Sequence, residues 1–325
     1  IGRLHTQGEP CLLLVPEQFT LQAERELLTR LHLPGFFTID VLSPSRLSQR
    51  VLAAVGADER APLSSAGRRM AVSAALEKCE KQLNYYQSSA HRRGFTEKLS
   101  SLIADMKRGG LTPDTLTEYA QTLPDGMRRA KTGDLAAVYA AYESLLSGRF
   151  GDSEDQLRYV ASRLEESGLM SGKYVCVYGF DALPEPMITL LASMGPLCAR
   201  LTVALTAQPE TAPAGDLYRP VRQSVERFGA ILRERGLVLK STYLPDEPLP
   251  SAPAIRHLDS TLFAYPETKF AGEQNAVFLS QHMSPYEEAA DAARRIMALC
   301  GDGMDIERIA LLYPDQNGYA FAVTA

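Results

Sequence analysis

The chain has 325 residues, of which 45% are hydrophobic and 22% charged, the balance of a globular protein with a real core and room for two or three domains. A net charge of −5 excludes a generally basic protein that coats nucleic acid, and no apolar run approaches the ~20 residues of a membrane span, so no membrane contact is expected. Cysteines 11, 79, 176, 198 and 300 form no CxxC pair, and the five histidines lack ligand spacing, so no metal site is expected and a reducing cytoplasm fits.

The chain opens on Ile1 rather than Met, and Ile1–Gln7 reads as the end of a helix. The sequence is therefore expected to begin inside a longer protein. Residues 11–15 (Cys-Leu-Leu-Leu-Val) form an unbroken apolar run closed by Pro16, the pattern of a central parallel strand. Phe19–Leu31 reads as a helix, Phe37–Leu42 as a second strand, and Ser43 or Ser45 as the cap of a helix carrying Leu47, Val51 and Leu52. Strand, helix, strand, helix predicts a parallel sheet with helices on its faces.

From Ser64 to Gly168 the pattern turns helical, with candidates at 64–82, 95–108, 113–123, 133–147 and 153–167. This stretch predicts a helical insertion over 64–169 in an α/β domain made of 1–63 and 170–244. Residues 64–131 hold 12 Lys/Arg against 7 Asp/Glu, a net of +5. Residues 241–325 hold 5 against 12, a net of −7. Such asymmetry permits a local basic surface, and equally fits solvated helix faces.

Strands return at 173–178 and 200–206, and a helix follows at 221–235. Pro245, Pro248, Pro250 and Pro253 mark 245–275 as a linker. A strand at 276–280, a helix at 285–299 and a strand at 308–313 predict the start of a further βαβ unit over 276–325, cut short at Ala325.

The motifs of chemistry are sparse. No GxxxxGK[ST] loop occurs, and Gly109-Gly110 reads as a helix C-cap. Pro266-Glu-Thr-Lys269 has a nuclease-like ring but lacks the companion acid. In nucleotide-driven motors, a strand such as Tyr174–Tyr178 ends in an acidic pair that holds Mg²⁺ and orients water. Here that place holds Tyr178 and Gly179, whose side chains cannot ligate a metal. No catalytic residue is therefore assigned.

Two loops at the carboxyl ends of strands, where α/β proteins place ligands, have binding chemistry. In Val15–Thr20, Gln18 and Thr20 offer hydrogen bonds and Phe19 a stacking ring. The same residues also read as a plain strand–helix turn with Thr20 as N-cap. In Leu42–Arg46, Arg46 suits a phosphate or a guanine edge, or is an exposed residue at a helix start. Both loops fall on the same edge as Gly179-Phe180.

These segments together resemble one family. Leu14–Glu24, Leu42–Leu47, Gly94–Leu99 with Asp105–Arg108, Val177–Asp181 and Ile309–Tyr313 are similar, in order, to the N-terminal part of AddB (RexB in some bacteria), a subunit of the ATP-dependent helicase/deoxyribonuclease. The resemblance implies an α/β, P-loop-NTPase-like fold of the UvrD helicase type, a parallel sheet with a large all-helical insertion. It sets Pro16–Thr20 at motif Ia, Ser43–Arg46 at the neighbouring DNA-contacting motif, Val177–Asp181 at motif II and Leu201–Gln208 at motif III. Ile309–Tyr313 falls at motif IV, where Pro314 stands in place of the arginine of active helicases.

Tyr178, Gly179 and Pro314 thus mark a degenerate motor. By the same resemblance, Gln18, Thr20, Arg46 and Phe180 line a track for a single DNA strand, scanned for the sequence called Chi. Gln49 and Pro44 stand where some relatives carry aromatics. Further implications are an AddA-type partner subunit, single- and double-stranded DNA, and double-strand-break repair by homologous recombination in the bacterial cytoplasm. Mg, ATP and a 4Fe–4S cluster are implied for the parent protein, outside this chain. Two other readings stand beside this one: a residual ATP-binding domain, and a scaffold for the partner subunit.

Overall fold

The structure is a computed structural model that describes residues 1–56, 60–90, 92–151, 153–207, 215–244, 251–313 and 316–324. Two compact units divide the chain, Ile1–Leu244 and Pro245–Ala325.

The first unit opens with α1 (Gly2–Thr6), β1 (Cys11–Leu14), α2 (Thr20–Leu31), β2 (Ile39–Leu42) and α3 (Pro44–Val55). Then come β3 (Ala61–Pro62), α4 (Ser65–Cys79), α5 (Arg93–Arg108), α6 (Pro113–Thr122), α7 (Met127–Leu146), β4 (Phe150–Gly151) and α8 (Ser153–Ser167). The unit closes with β5 (Tyr174–Phe180), α9 (Glu185–Met194), β6 (Arg200–Leu205) and α10 (Arg219–Glu234). Four strands form one parallel sheet in the order β2-β1-β5-β6. The expectation of an α/β protein with a parallel sheet holds at that level.

The apolar run at 11–15 is continuous because helices cover both faces of β1. Strand side chains alternate, so Leu12 and Leu14 enter one core with Leu47, Val51, Leu164, Val177, Leu191 and Phe228. Cys11, Leu13 and Val15 enter the other, against Leu4, Ala23, Leu27 and Leu31 of α1 and α2. That second cover stops short: on β6, Arg200, Thr202 and Ala204 are exposed while Leu201, Val203 and Leu205 pack inward. Helix α3 shows the local logic. Ser43 caps it by accepting from the Arg46 N–H, Pro44 sits in the first turn, and Leu47, Ser48 and Val51 form its buried face.

Helices α4 to α7 build a separate core around Val72, Leu76, Ile103, Tyr139 and Tyr142. Both ends of this run are tied by β3 and β4, two residues each and parallel, with the Ala61 N–H donating to the Arg149 carbonyl at 3.0 Å. Lys107, 3% exposed, donates to Glu143 at 2.9 Å and to Asp155 at 2.7 Å. It thereby joins α5 and α7 to α8, whose Val160 and Leu164 lie in the sheet's core.

The second unit has α11 (Pro253–Thr261), α12 (Pro285–Gly301) and α13 (Gln316–Thr324). Ser284 caps α12, and Tyr286 meets Phe321 of α13 with ring centroids 5.0 Å apart. Two expectations fail in this unit. The stretch 276–280 is not a strand: the Ala276 and Val277 N–H groups donate to the Gln274 side chain, both at 2.7 Å, instead of to a neighbouring strand. Residues 308–313 are not a strand either, and Leu312 stands in solvent. A strand needs a partner for its backbone groups, and the described residues of this unit supply none. The expected linker 245–275 contains α11, with Pro253 in its first turn, where a missing N–H costs nothing. Pro245, Pro248 and Pro250 lie outside the described residues, as does Pro314.

Candidate nucleic-acid interface

Parallel strands end on one edge. Leu14 stands opposite Leu42 on one side and Val177 on the other, so the loops after β1, β2 and β5 open side by side. The first two are stitched together. The Glu17 carboxylate accepts the Ser45 N–H at 2.9 Å and the Ser45 hydroxyl at 2.8 Å. Partial burial pushes the Glu17 pKa up, but the hydrogen bonds from Ser43 and Ser45 and the charge of Arg46 outweigh it, and the group sits below its ordinary value. Sequence reading missed Glu17; its spacing from Ser45, 28 residues, is not a pattern a motif reveals.

The end of β5 closes on the first loop through Gly179. This residue has φ +83°, and a Cβ added there would lie 3.4 Å from the Pro16 ring. The pairing of β5 with β6 shifts between Val177 and Phe180, a bulge that breaks the alternation of the strand. Tyr178 keeps the side of Tyr174 and Cys176 and is 56% exposed, whereas the extra residue turns Phe180 to the side of Val175 and Val177, half-buried, paired with Leu205 and packed on the core. The carboxyl end of β5 thus carries an outward ring and a left-handed glycine.

Each expected residue has a definite place. Gln18 is exposed in a short 3-10 turn, Glu17–Phe19. Thr20 opens α2 without capping it, because that turn feeds straight into the helix and Phe19 occupies the cap position. Phe19 is 41% exposed. Arg46 and Gln49 are exposed on α3, three residues apart and so on one face. With Glu24, Asp40 and Arg50 they line a cleft of about 500 Å³ along the edge strand β2. There Asp40 accepts from Arg50 at 2.8 Å and from Lys173 at 2.9 Å. Burial pushes the Asp40 pKa up, yet those two cations bring it below its ordinary value. The loops of Gln18, Thr20 and Arg46 are therefore gathered, Gln49 lies one turn further on, and Phe180 lies beneath.

This edge offers hydrogen-bond donors, a cation and two exposed rings, Phe19 and Tyr178. Those groups suit an extended, charged, stacking ligand. They do not fit a magnesium–nucleotide held by β5, since neither Tyr178 nor Gly179 supplies a carboxylate. Among the described residues no three His, Cys, Asp or Glu side chains gather to hold a metal.

The protein family described as "ADDB, N-terminal" matches residues 3–259. The B subunit of the ATP-dependent helicase/deoxyribonuclease of Heliobacterium modesticaldum is 31% identical over 328 residues, covering 96% of this chain and 27% of its own. The protein of the same name from Alkaliphilus oremlandii is 29% identical over 325 residues, covering 98% and 28%. That from Symbiobacterium thermophilum is 31% identical over 327 residues, covering 96% and 28%. The chain spans a little over a quarter of the length of these relatives.

Proposed function

The chain belongs to the ADDB N-terminal family, and from that premise we propose that it is the inactivated helicase-like region of an AddB-type helicase/deoxyribonuclease subunit, binding and scanning a single DNA strand. The observation that carries this reading is the carboxyl edge of the sheet. Three loops from adjacent parallel strands meet there, two of them stitched by Glu17, and the third bulged at the position a motor needs for magnesium.

In this reading residues 1–63 and 170–244 are the helicase-like α/β domain, 64–169 its helical insertion, 245–275 the connection and 276–325 the start of a second motor-like domain. Arg46 takes a phosphate. Gln18, Thr20 and Gln49 hydrogen-bond the strand, Phe19 and Tyr178 stack on bases, and Phe180 supports the bulge from below. The parallel α/β sheet supports a P-loop-NTPase-like ancestry. An AddA-type subunit is the partner; the relatives, each named as one subunit of a helicase/deoxyribonuclease, support a partner of some kind. ATP, magnesium and an iron–sulfur cluster are assigned to other parts of the assembly. The setting is double-strand-break repair, with Chi as the scanned sequence.

Fluorescence anisotropy of a labelled single strand tests the reading. Arg46→Ala is expected to weaken binding roughly tenfold and to lower the salt dependence, because one phosphate contact is lost. Equal affinity of Arg46→Ala, Gln18→Ala and the unaltered chain would rule out the rim as the binding surface.

A further inference from the structure

We propose that the helical segment carries a second contact for a nucleic-acid strand, formed by the loop Asn84–Tyr86 and the first turns of α7. The inference rests on the single-strand reading above and extends it to a different surface.

The loop is held with unusual rigidity. Asp134, buried on α7, accepts three successive backbone N–H groups: Asn84 at 2.9 Å, Tyr85 at 2.8 Å and Tyr86 at 2.9 Å. Three charge-assisted bonds to one carboxylate fix the backbone of a loop that would otherwise fray. The result is an outward ring. Tyr85 is 40% exposed, and Tyr86 meets it edge-on at 5.0 Å. Tyr86 leans in turn on Phe95, also at 5.0 Å, which belongs to the helical core. A stacking platform is thus braced from behind.

Cations surround it. Lys131 Nζ lies 4.5 Å from the centroid of the Tyr85 ring. Arg128 and Arg129 are exposed one turn earlier; Arg129 is paired with Asp125 at 2.6 Å, which leaves Arg128 beside Lys131 as the cation turned to a ligand. This is the stretch whose net charge is +5 (12 Lys/Arg against 7 Asp/Glu over 64–131) in a chain of −5. Beside the loop lies a cleft of about 540 Å³, lined by Asn84, Asp125, Arg129, Ala130, Gly133 and Ala137 among others. Its alanine and glycine lining leaves room for a flat ring. An exposed tyrosine, a lysine poised at its face and a cleft beside them are together the groups that bind a single strand without reading its sequence: bases stack and phosphates meet Lys131 and Arg128.

Affinity of the full chain for a labelled oligothymidylate, measured across a salt series, tests this. Tyr85→Ala is expected to weaken binding roughly tenfold, and Tyr85→Phe to bind as the unaltered chain does, since the ring alone stacks. Lys131→Gln is expected to reduce the salt slope by about 0.7. If Tyr85→Ala and Lys131→Gln change nothing while Arg46→Ala weakens binding, the second contact is refuted and the rim stands. If the reverse holds, the second contact stands and the rim falls. Competition by polyglutamate as effective as by unlabelled oligonucleotide would show a mere charge patch and overturn the proposal. Should Tyr85→Ala lose its helical circular dichroism, Lys131→Gln, which alters only a half-exposed side chain, decides alone.

Discussion

At the sheet rim, Glu17 accepts hydrogen bonds from Ser45 while standing largely in solvent; on α7, Asp134 accepts three from a neighbouring loop while buried. Both carboxylates organise a loop with binding chemistry on its outer side. They differ in what happens when the carboxylate goes. Around Glu17, water replaces the lost acceptor, so the rim keeps some freedom to adjust to a ligand. Around Asp134, the orphaned donors have little water to turn to, so that loop is fixed before any ligand arrives. The rim is built to adjust, and the helical loop is built to stay.

The contrast predicts a ranking. Largest is the buried cation of the helical segment. Lys107→Ala is expected to cost about 3 kcal/mol in urea unfolding, because the buried cation that Glu143 and Asp155 share is removed; both carboxylates keep some water, which holds the loss to the lower end for a broken buried pair. Asp134→Ala should cost about 2 kcal/mol by leaving three N–H groups unpaired, and Asp134→Asn less, since one acceptor oxygen remains. A loss at Asp134 smaller than at Glu17 would break the comparison.

Gly179→Ala comes next, at about 1 kcal/mol, from the left-handed backbone rather than from any clash. Glu17→Gln is the smallest, on the order of 0.5 kcal/mol, as befits an exposed charged group. Its pH dependence sharpens the point. The Glu17 pKa is lowered in the folded state, so its contribution is complete above the ordinary value of 4.5 and fades as pH falls through the lower folded value. Stability of the unaltered chain and Glu17→Gln should therefore differ at pH 6 and converge towards pH 3. A constant difference across that range would show that Glu17 is not held as a carboxylate by Ser43 and Ser45.

Much of this was legible in the residues, for physical reasons. The run at 11–15 is apolar on both faces because both faces of β1 are covered, and Ser43-Pro44 announces a helix start by its own backbone chemistry. Other features were not legible. The ladder of Ala61–Pro62 with Phe150–Gly151 is too short for any period to show. The bulge at Gly179, which turns Phe180 in, depends on strand pairing and not on composition. Asp134 acts on residues about 50 positions away. The apolar runs at 276–280 and 308–313 look like strands because apolar alternation predicts one face of a sheet, but it does not supply the neighbouring strand.

The central claim is that a single strand runs across the sheet's carboxyl edge. Photocrosslinking of a 5-iododeoxyuridine-bearing strand, followed by mass spectrometry of the linked peptides, tests it most directly. Adducts are predicted within residues 16–20 and 43–49, and they should fade in Arg46→Ala. A strand that binds tightly yet leaves both segments unlabelled would contradict the claim.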